Sequence, residues 1–192
     1  MLHKIIRFWQ TVRFLKPIQW YSRIIKLLPS LPVSHRNIPS IRGFNLGLIR
    51  QPWRNQSVYN NNKVEFLNLS SHIVFKEDWN DISCSKLWLY NLHYFDDLNA
   101  IGSQERVRLH QHFLDKWIDE NPVGEGTGWE AYPISLRVVN WIKWSIRNKS
   151  LTQKHLTSLV LQVRWLYSNL EYHLLANHLW ANAKALLFAG IF

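Results

Sequence analysis

Residues 152–170, TQKHLTSLVLQVRWLYSNL, decide the fold class. Leu156, Leu159, Val160, Val163, Leu166, Tyr167 and Leu170 recur at three- and four-residue spacing. That spacing lays one apolar stripe along an α-helix, whereas a strand alternates its side chains with a period of two. Thr152 stands just before the stripe and offers the hydroxyl that an N-terminal cap requires.

The segments on either side follow the same pattern. Pro133 is placed as a first-turn proline, and Leu136, Val139, Trp141, Ile142 and Ile146 carry a helix to about Asn148. Val107, Phe113, Leu114, Trp117 and Ile118 mark another helix, Leu87 to Leu98 is an aromatic-rich helical stretch, and a last helix starts near Asn177 and runs through Ala183, Leu186 and Leu187. Asn121 to Gly128 holds Pro122, Gly124, Gly126 and Gly128, so the backbone there must turn sharply or approach something closely.

Before these helices, Val64 to Phe75 alternates as a strand or hairpin does. Pro29 to Asn62 is broken by Pro32, Pro39, Gly43, Gly47 and Pro52 and ends in three asparagines, which is loop chemistry. Residues 2–15 and 17–28 read as two basic amphipathic helices separated by Pro17. The expected fold is therefore all-α: a basic helical arm and loop-rich connector over residues 1–62, then helical hairpins packed side by side over residues 63–192.

Composition narrows the function. Eleven tryptophans in 192 residues exceed ordinary usage; about two thirds are expected in the core, and the rest suit stacking on flat ligands such as sugar rings. The net charge of +10 asks for an anionic partner. Six of the basic residues (Lys4, Arg7, Arg13, Lys16, Arg23 and Lys26) fall in residues 1–30, where there is no acidic residue. The body is thus nearly balanced, which argues against a nucleic-acid face. Peripheral membrane contact through residues 2–28 stays open beside packing of those helices on the body. Cys84 is the single cysteine, so there is neither an internal disulfide nor a cysteine-based metal site. No apolar run approaches the roughly 18 residues of a membrane-spanning helix, and Arg7, Arg13 and Lys16 interrupt any export signal, so the compartment is left open.

Three segments carry a resemblance: LWLYNLHYFDDLNA from Leu87 to Ala100, NPVGEGTGWEAYPISLRVVNWIKW from Asn121 to Trp144, and NLEYHLLANHLWANAKALLFAGIF from Asn169 to Phe192. Together they resemble the N-terminal helical part of the heparinase II/III polysaccharide lyases, particularly members encoded beside bacterial capsule and lipopolysaccharide genes and often periplasmic. The resemblance implies an incomplete (α/α) toroid whose cleft holds an acidic polysaccharide, followed by an antiparallel β-sandwich domain. The chain ends in the apolar stretch Ala189 to Phe192, and it is expected to be a piece of that longer protein.

The implied reaction is β-elimination beside a uronic acid, in which neutralising the sugar carboxylate stabilises the enolate-like transition state while a base and an acid move protons. By the resemblance, Asn177 and His178 match the Asn-His position that binds this carboxylate. Asn182, one helical turn after His178, is suited to orienting the imidazole. Asn177 also fits the bland role of a helix cap.

In the second segment Trp129 suits sugar stacking, with Glu130 and Tyr132 beside it, and Arg137 suits bidentate pairing with a carboxylate. Equally, Trp129 could plug the core and Glu130 could pair with Arg137. In the first segment Asn91, His93 and Tyr94 are candidates to line the cleft, against a packing role for His93. The tyrosine and second histidine of the family's proton transfer have no match within the 192 residues; Tyr167 and Tyr172 do not fit that motif. No cofactor is expected in this chain, and a structural metal is left to the implied C-terminal domain.

Overall fold

The period seen in residues 152–170 becomes a helix because Thr152 closes its first turn: Thr152 Oγ1 accepts the His155 amide at 3.3 Å. In this computed structural model the described residues are 2–29, 32–43 and 54–192. Part of the expected connector, including Gly47 and Pro52, lies outside them.

The body is a set of packed helices: α3 (Lys86–Tyr94), α4 (Val107–Glu120), α5 (Ala131–Asn148), α6 (Gln153–Ser168) and α7 (Ala176–Ile191). Helix α5 is central, packing on α7, α3 and α6, while α4 packs on α6. The expected hairpin forms as β1 (Lys63–Phe66) and β2 (Leu69–His72), antiparallel, with Val64 opposite Ser71. Leu67 and Asn68 both take positive φ in the connecting turn, the twist that a two-residue hairpin favours. The molecule is mostly helical with one small two-stranded sheet among its described residues.

Ahead of the body lie α1 (Leu2–Val12) and α2 (Pro17–Ile25), interrupted as Pro17 dictates. Val12 is buried, but Ile6, Trp9 and Phe14 are exposed. The arm's apolar face is thus only partly covered among the described side chains. Its contact with the body is polar: Gln19 Nε2 donates to the His173 carbonyl at 3.3 Å, and Lys26 Nζ lies 3.2 Å from His173 Nε2.

Tryptophan fills the centre. Trp79, Trp88, Trp117, Trp141 and Trp144 are almost wholly enclosed, and each large aromatic side chain buries roughly 150–250 Å². Among them sits Arg137, also fully buried. Its Nε donates to Gln162 Oε1 at 2.7 Å, Nη1 to the His93 carbonyl at 3.1 Å and Nη2 to the Gly128 carbonyl at 2.8 Å. The guanidinium carbon is 4.0 Å from the Trp117 ring centroid. A buried cation costs heavily unless it is bonded in this way.

Two polar clasps tie non-helical chain to the helices. The Asp97 carboxylate accepts the Ser57 and Val58 amides at 2.6 and 3.2 Å and faces His110 Nε2 at 2.8 Å and Arg106 Nη2 at 3.2 Å. On the far side, the Arg164 guanidinium donates to the carbonyls of Ser34, Arg36 and Asn37 at 2.6, 2.7 and 2.8 Å.

The glycines of the 121–128 loop show why they are needed. Gly124 has φ +84°, and a Cβ there would stand 2.5 Å from the Trp165 ring; one at Gly128 would stand 2.8 Å from the His93 ring.

Candidate functional site

Helix α7 starts under backbone strain. Leu175 has φ 63° and ψ −154°, and Ala176 follows at φ 44°, conformations that cost a side-chain-bearing residue on the order of 1–3 kcal/mol each and cluster at functional sites. They aim the first turn of α7, which carries Asn177 and His178. Asn177 is not a cap: Leu175 is the capping residue, and the exposed Asn177 side chain has no hydrogen-bond partner among the described residues. The His178 side chain is 36% exposed.

The imidazole is held from below by a buried polar chain. Ser135 Oγ donates to the Ala131 carbonyl at 2.8 Å and accepts Asn182 Nδ2 at 2.9 Å. Asn182 Oδ1 accepts the Glu171 amide at 2.9 Å, and Asn182 Nδ2 also reaches Glu171 Oε2 at 3.1 Å. The other carboxylate oxygen, Glu171 Oε1, lies 3.1 Å from His178 Nδ1. Asn182 therefore orients His178 through Glu171 and does not touch it directly. A carboxylate at Nδ1 fixes the tautomer and leaves Nε2 for a ligand.

Tyr132, at the start of α5, completes the rim. Its ring centroid is 4.5 Å from that of His178, and it stacks on Tyr90 at 6.3 Å and meets Tyr94 edge-on at 6.1 Å. Tyr90 donates to Glu130 Oε2 at 2.5 Å, while Glu130 Oε1 pairs with Lys86. Burial, followed by the hydrogen bond and charge of Glu130, raises the Tyr90 pKa. Burial, then Tyr132 and Asp96, raises that of Tyr94. Both phenols are therefore neutral hydrogen-bond donors at ordinary pH, and neither is set up as a base.

The structure thus gathers His178, Tyr132 and Glu130, with Asn177 next to His178, and Asn182 buried beneath them; Tyr94, expected to line a cleft, is corrected to a buried support of the Tyr132 ring, only 8% exposed. Trp129, Arg137 and His93 are corrected. Trp129 is 4% exposed, with Nε1 bonded to the Asn121 carbonyl. Arg137 has every donor group directed at interior oxygens and does not pair with Glu130. His93 is enclosed, with Nδ1 accepting Trp117 Nε1 at 3.0 Å and Nε2 lying 2.9 Å from the Trp79 carbonyl. None of the three is presented to a ligand, because a core this rich in indoles needs their polar atoms inside. Asn91 is committed to the Leu87 carbonyl of its own helix at 2.8 Å.

Sequence reasoning missed Tyr90, Lys86, Glu171, His173 and Lys26. Tyr90 had a readable signal, standing four residues before Tyr94 on the same helical face. Among the described residues no group of three or more His, Cys, Asp or Glu could hold a metal ion, and no helix is long and apolar enough to cross a membrane. Comparison of the chain with family models, curated proteins and solved structures gives no match.

Proposed function

We propose that this chain binds an acidic, uronate-bearing glycan at the rim formed by Asn177, His178 and Tyr132, and that its parent protein cleaves that glycan by β-elimination. The helical body is read as part of an (α/α) toroid, with a β-sandwich domain as its partner. The carrying observation is the exposed, unpartnered Asn177 amide beside an imidazole whose Nδ1 faces Glu171.

An amide N–H directed at a uronate carboxylate favours the charge that develops on it as the neighbouring C–H proton leaves. The His178 Nε2 either donates to the same oxygens or accepts a proton. Tyr132, backed by Tyr90 and Tyr94, offers a sugar ring an aromatic face and neutral hydroxyls. Lys86 offsets the charge of Glu130 at this rim, and Glu171 is turned inward to His178 and Asn182.

A non-catalytic glycan-binding module is the second reading. It is favoured by the raised pKa of Tyr90 and Tyr94, which withholds a tyrosinate base from the rim. Exposing the full-length protein to a panel of acidic glycans and following ultraviolet absorbance of unsaturated uronate separates the two. Product formation supports the lyase; binding without product supports the module; absence of both rejects the shared site.

A further inference from the structure

The basic N-terminal arm reaches the same rim. From α2, Gln19 Nε2 donates to the His173 carbonyl at 3.3 Å, and at the C-cap of that helix Lys26 Nζ stands 3.2 Å from His173 Nε2. Two nitrogen atoms at this junction are buried and have no hydrogen-bond partner among the described residues: Arg23 Nη1 and His173 Nδ1. Buried polar atoms are ordinarily paired, so two unpaired nitrogen atoms in one cationic cluster suit an oxygen-bearing partner.

The surroundings agree. Burial lowers the pKa of His173, and the charges of Lys26, Arg23 and His178 act in the same direction against Glu171. For Lys26, burial lowers the pKa while Glu171 and Glu130 act to raise it. These interactions place arm, His173 turn and α7 rim within one electrostatic neighbourhood. Glu171 already faces His178 and Asn182 and forms no ion pair with Arg23 or Lys26 among the described residues.

We propose that Arg23, Lys26 and His173 form a second oxyanion subsite, which takes the carboxylate or sulfate of the sugar unit adjoining the one held by Asn177 and His178. This deepens the function proposed above and rests on it. The ligand class becomes a glycan with an acidic group on successive sugars, and the arm becomes part of the binding site.

The test uses the 192-residue chain with inorganic sulfate and two glycan probes of equal length, one carrying a carboxylate on every sugar and the other on alternate sugars. Histidine-ring NMR reads the subsite directly. Sulfate should shift the His173 resonances saturably in the wild type and in Asn177→Ala, and not in the doubly substituted Arg23→Met, Lys26→Met chain.

The fully acidic probe should bind about tenfold more tightly than the alternating one, the effect of one charge-assisted hydrogen bond. The double substitution should remove that preference, whereas Asn177→Ala should weaken both probes. Near-ultraviolet circular dichroism checks that each variant folds, and Lys26→Met alone, at an exposed position, should give a partial loss. An unresponsive His173, or an equal loss for both glycans in the arm variant, overturns the subsite. Response to anionic phospholipid vesicles but to neither sulfate nor glycan also overturns it and assigns the arm to a membrane surface. A sulfate response with no glycan binding leaves the subsite standing and removes the glycan reading.

Discussion

Glu171 Oε1 lies 3.1 Å from His178 Nδ1, and the same carboxylate is anchored through Asn182 to Ser135 on a different helix. The imidazole that reaches the rim is therefore set by α5 as much as by the helix that carries it. Its neighbour Asn177 has no such support among the described residues: its exposed side chain makes no hydrogen bond there.

Asn177→Ala is expected to weaken acidic-glycan binding by about tenfold, the value of one hydrogen bond to a charged group. Asn177→Asp should weaken it further, because a carboxylate then faces a carboxylate. Calorimetric titration of both variants checks the order. Equal affinities for wild type, Ala and Asp would remove Asn177 from the site.

Arg137 is expected to act on stability. Arg137→Met keeps much of the volume but strands Gln162 Oε1 and the carbonyls of His93 and Gly128, at a cost of about 1–3 kcal/mol for each acceptor that finds no other partner. Denaturant unfolding should show a loss of several such units. A variant of unchanged stability that loses only glycan binding would return Arg137 to the rim.

Acid should loosen the core through His93. Burial first, and then the Arg137 charge, pushes its pKa down to about 3 from the ordinary 6.5. The unfolded chain takes up this proton at the higher value, so the stabilising contribution is complete above about pH 6.5 and is lost progressively as the pH falls toward 3. His155, lowered by burial, has the same sign. Urea midpoints should fall across this window, with a limiting slope of about 1.4 kcal/mol per pH unit for each histidine. His93→Gln should be less stable at neutral pH and show a shallower slope; a flat wild-type profile would contradict the assignment.

Gly124→Ala should destabilise by about 1–3 kcal/mol, because the new methyl meets the Trp165 ring at a positive φ. Gly43→Ala, with nothing within 4 Å of the added carbon, is the control and should stay within about 0.5 kcal/mol. Thermal melts of the two variants read the difference.

Local signals carried much of the fold. The stripe from Leu156 to Leu170, the Thr152 cap and the Pro17 break each act within a few residues, and their elements form where the pattern put them; the turn at residues 121–128 was legible from its glycines, but the distant Trp165 and His93 rings that two of them admit were not. Arg137 was read as the partner of a carboxylate, of a sugar or of Glu130, although it shares the buried α5 stripe with Ile134, Val138 and Trp141. Asn177 and His178 were singled out only through resemblance to a motif, and the strained start of the helix that carries them left no mark in the local pattern. Lys26 and His173 meet across 147 positions, a juxtaposition no local pattern encodes.

Arg164 offers a last consequence. It grips Ser34, Arg36 and Asn37 only by their main-chain oxygens, and every amino acid supplies that atom. The identity of Arg36 is therefore nearly interchangeable, while Ser34 adds a side-chain contact, its Oγ accepting the Arg36 amide at 3.3 Å, and Asn37, at φ 54°, accepts a narrower choice. That grip on the strap is supplied 127 or more positions away, by one side chain on α6.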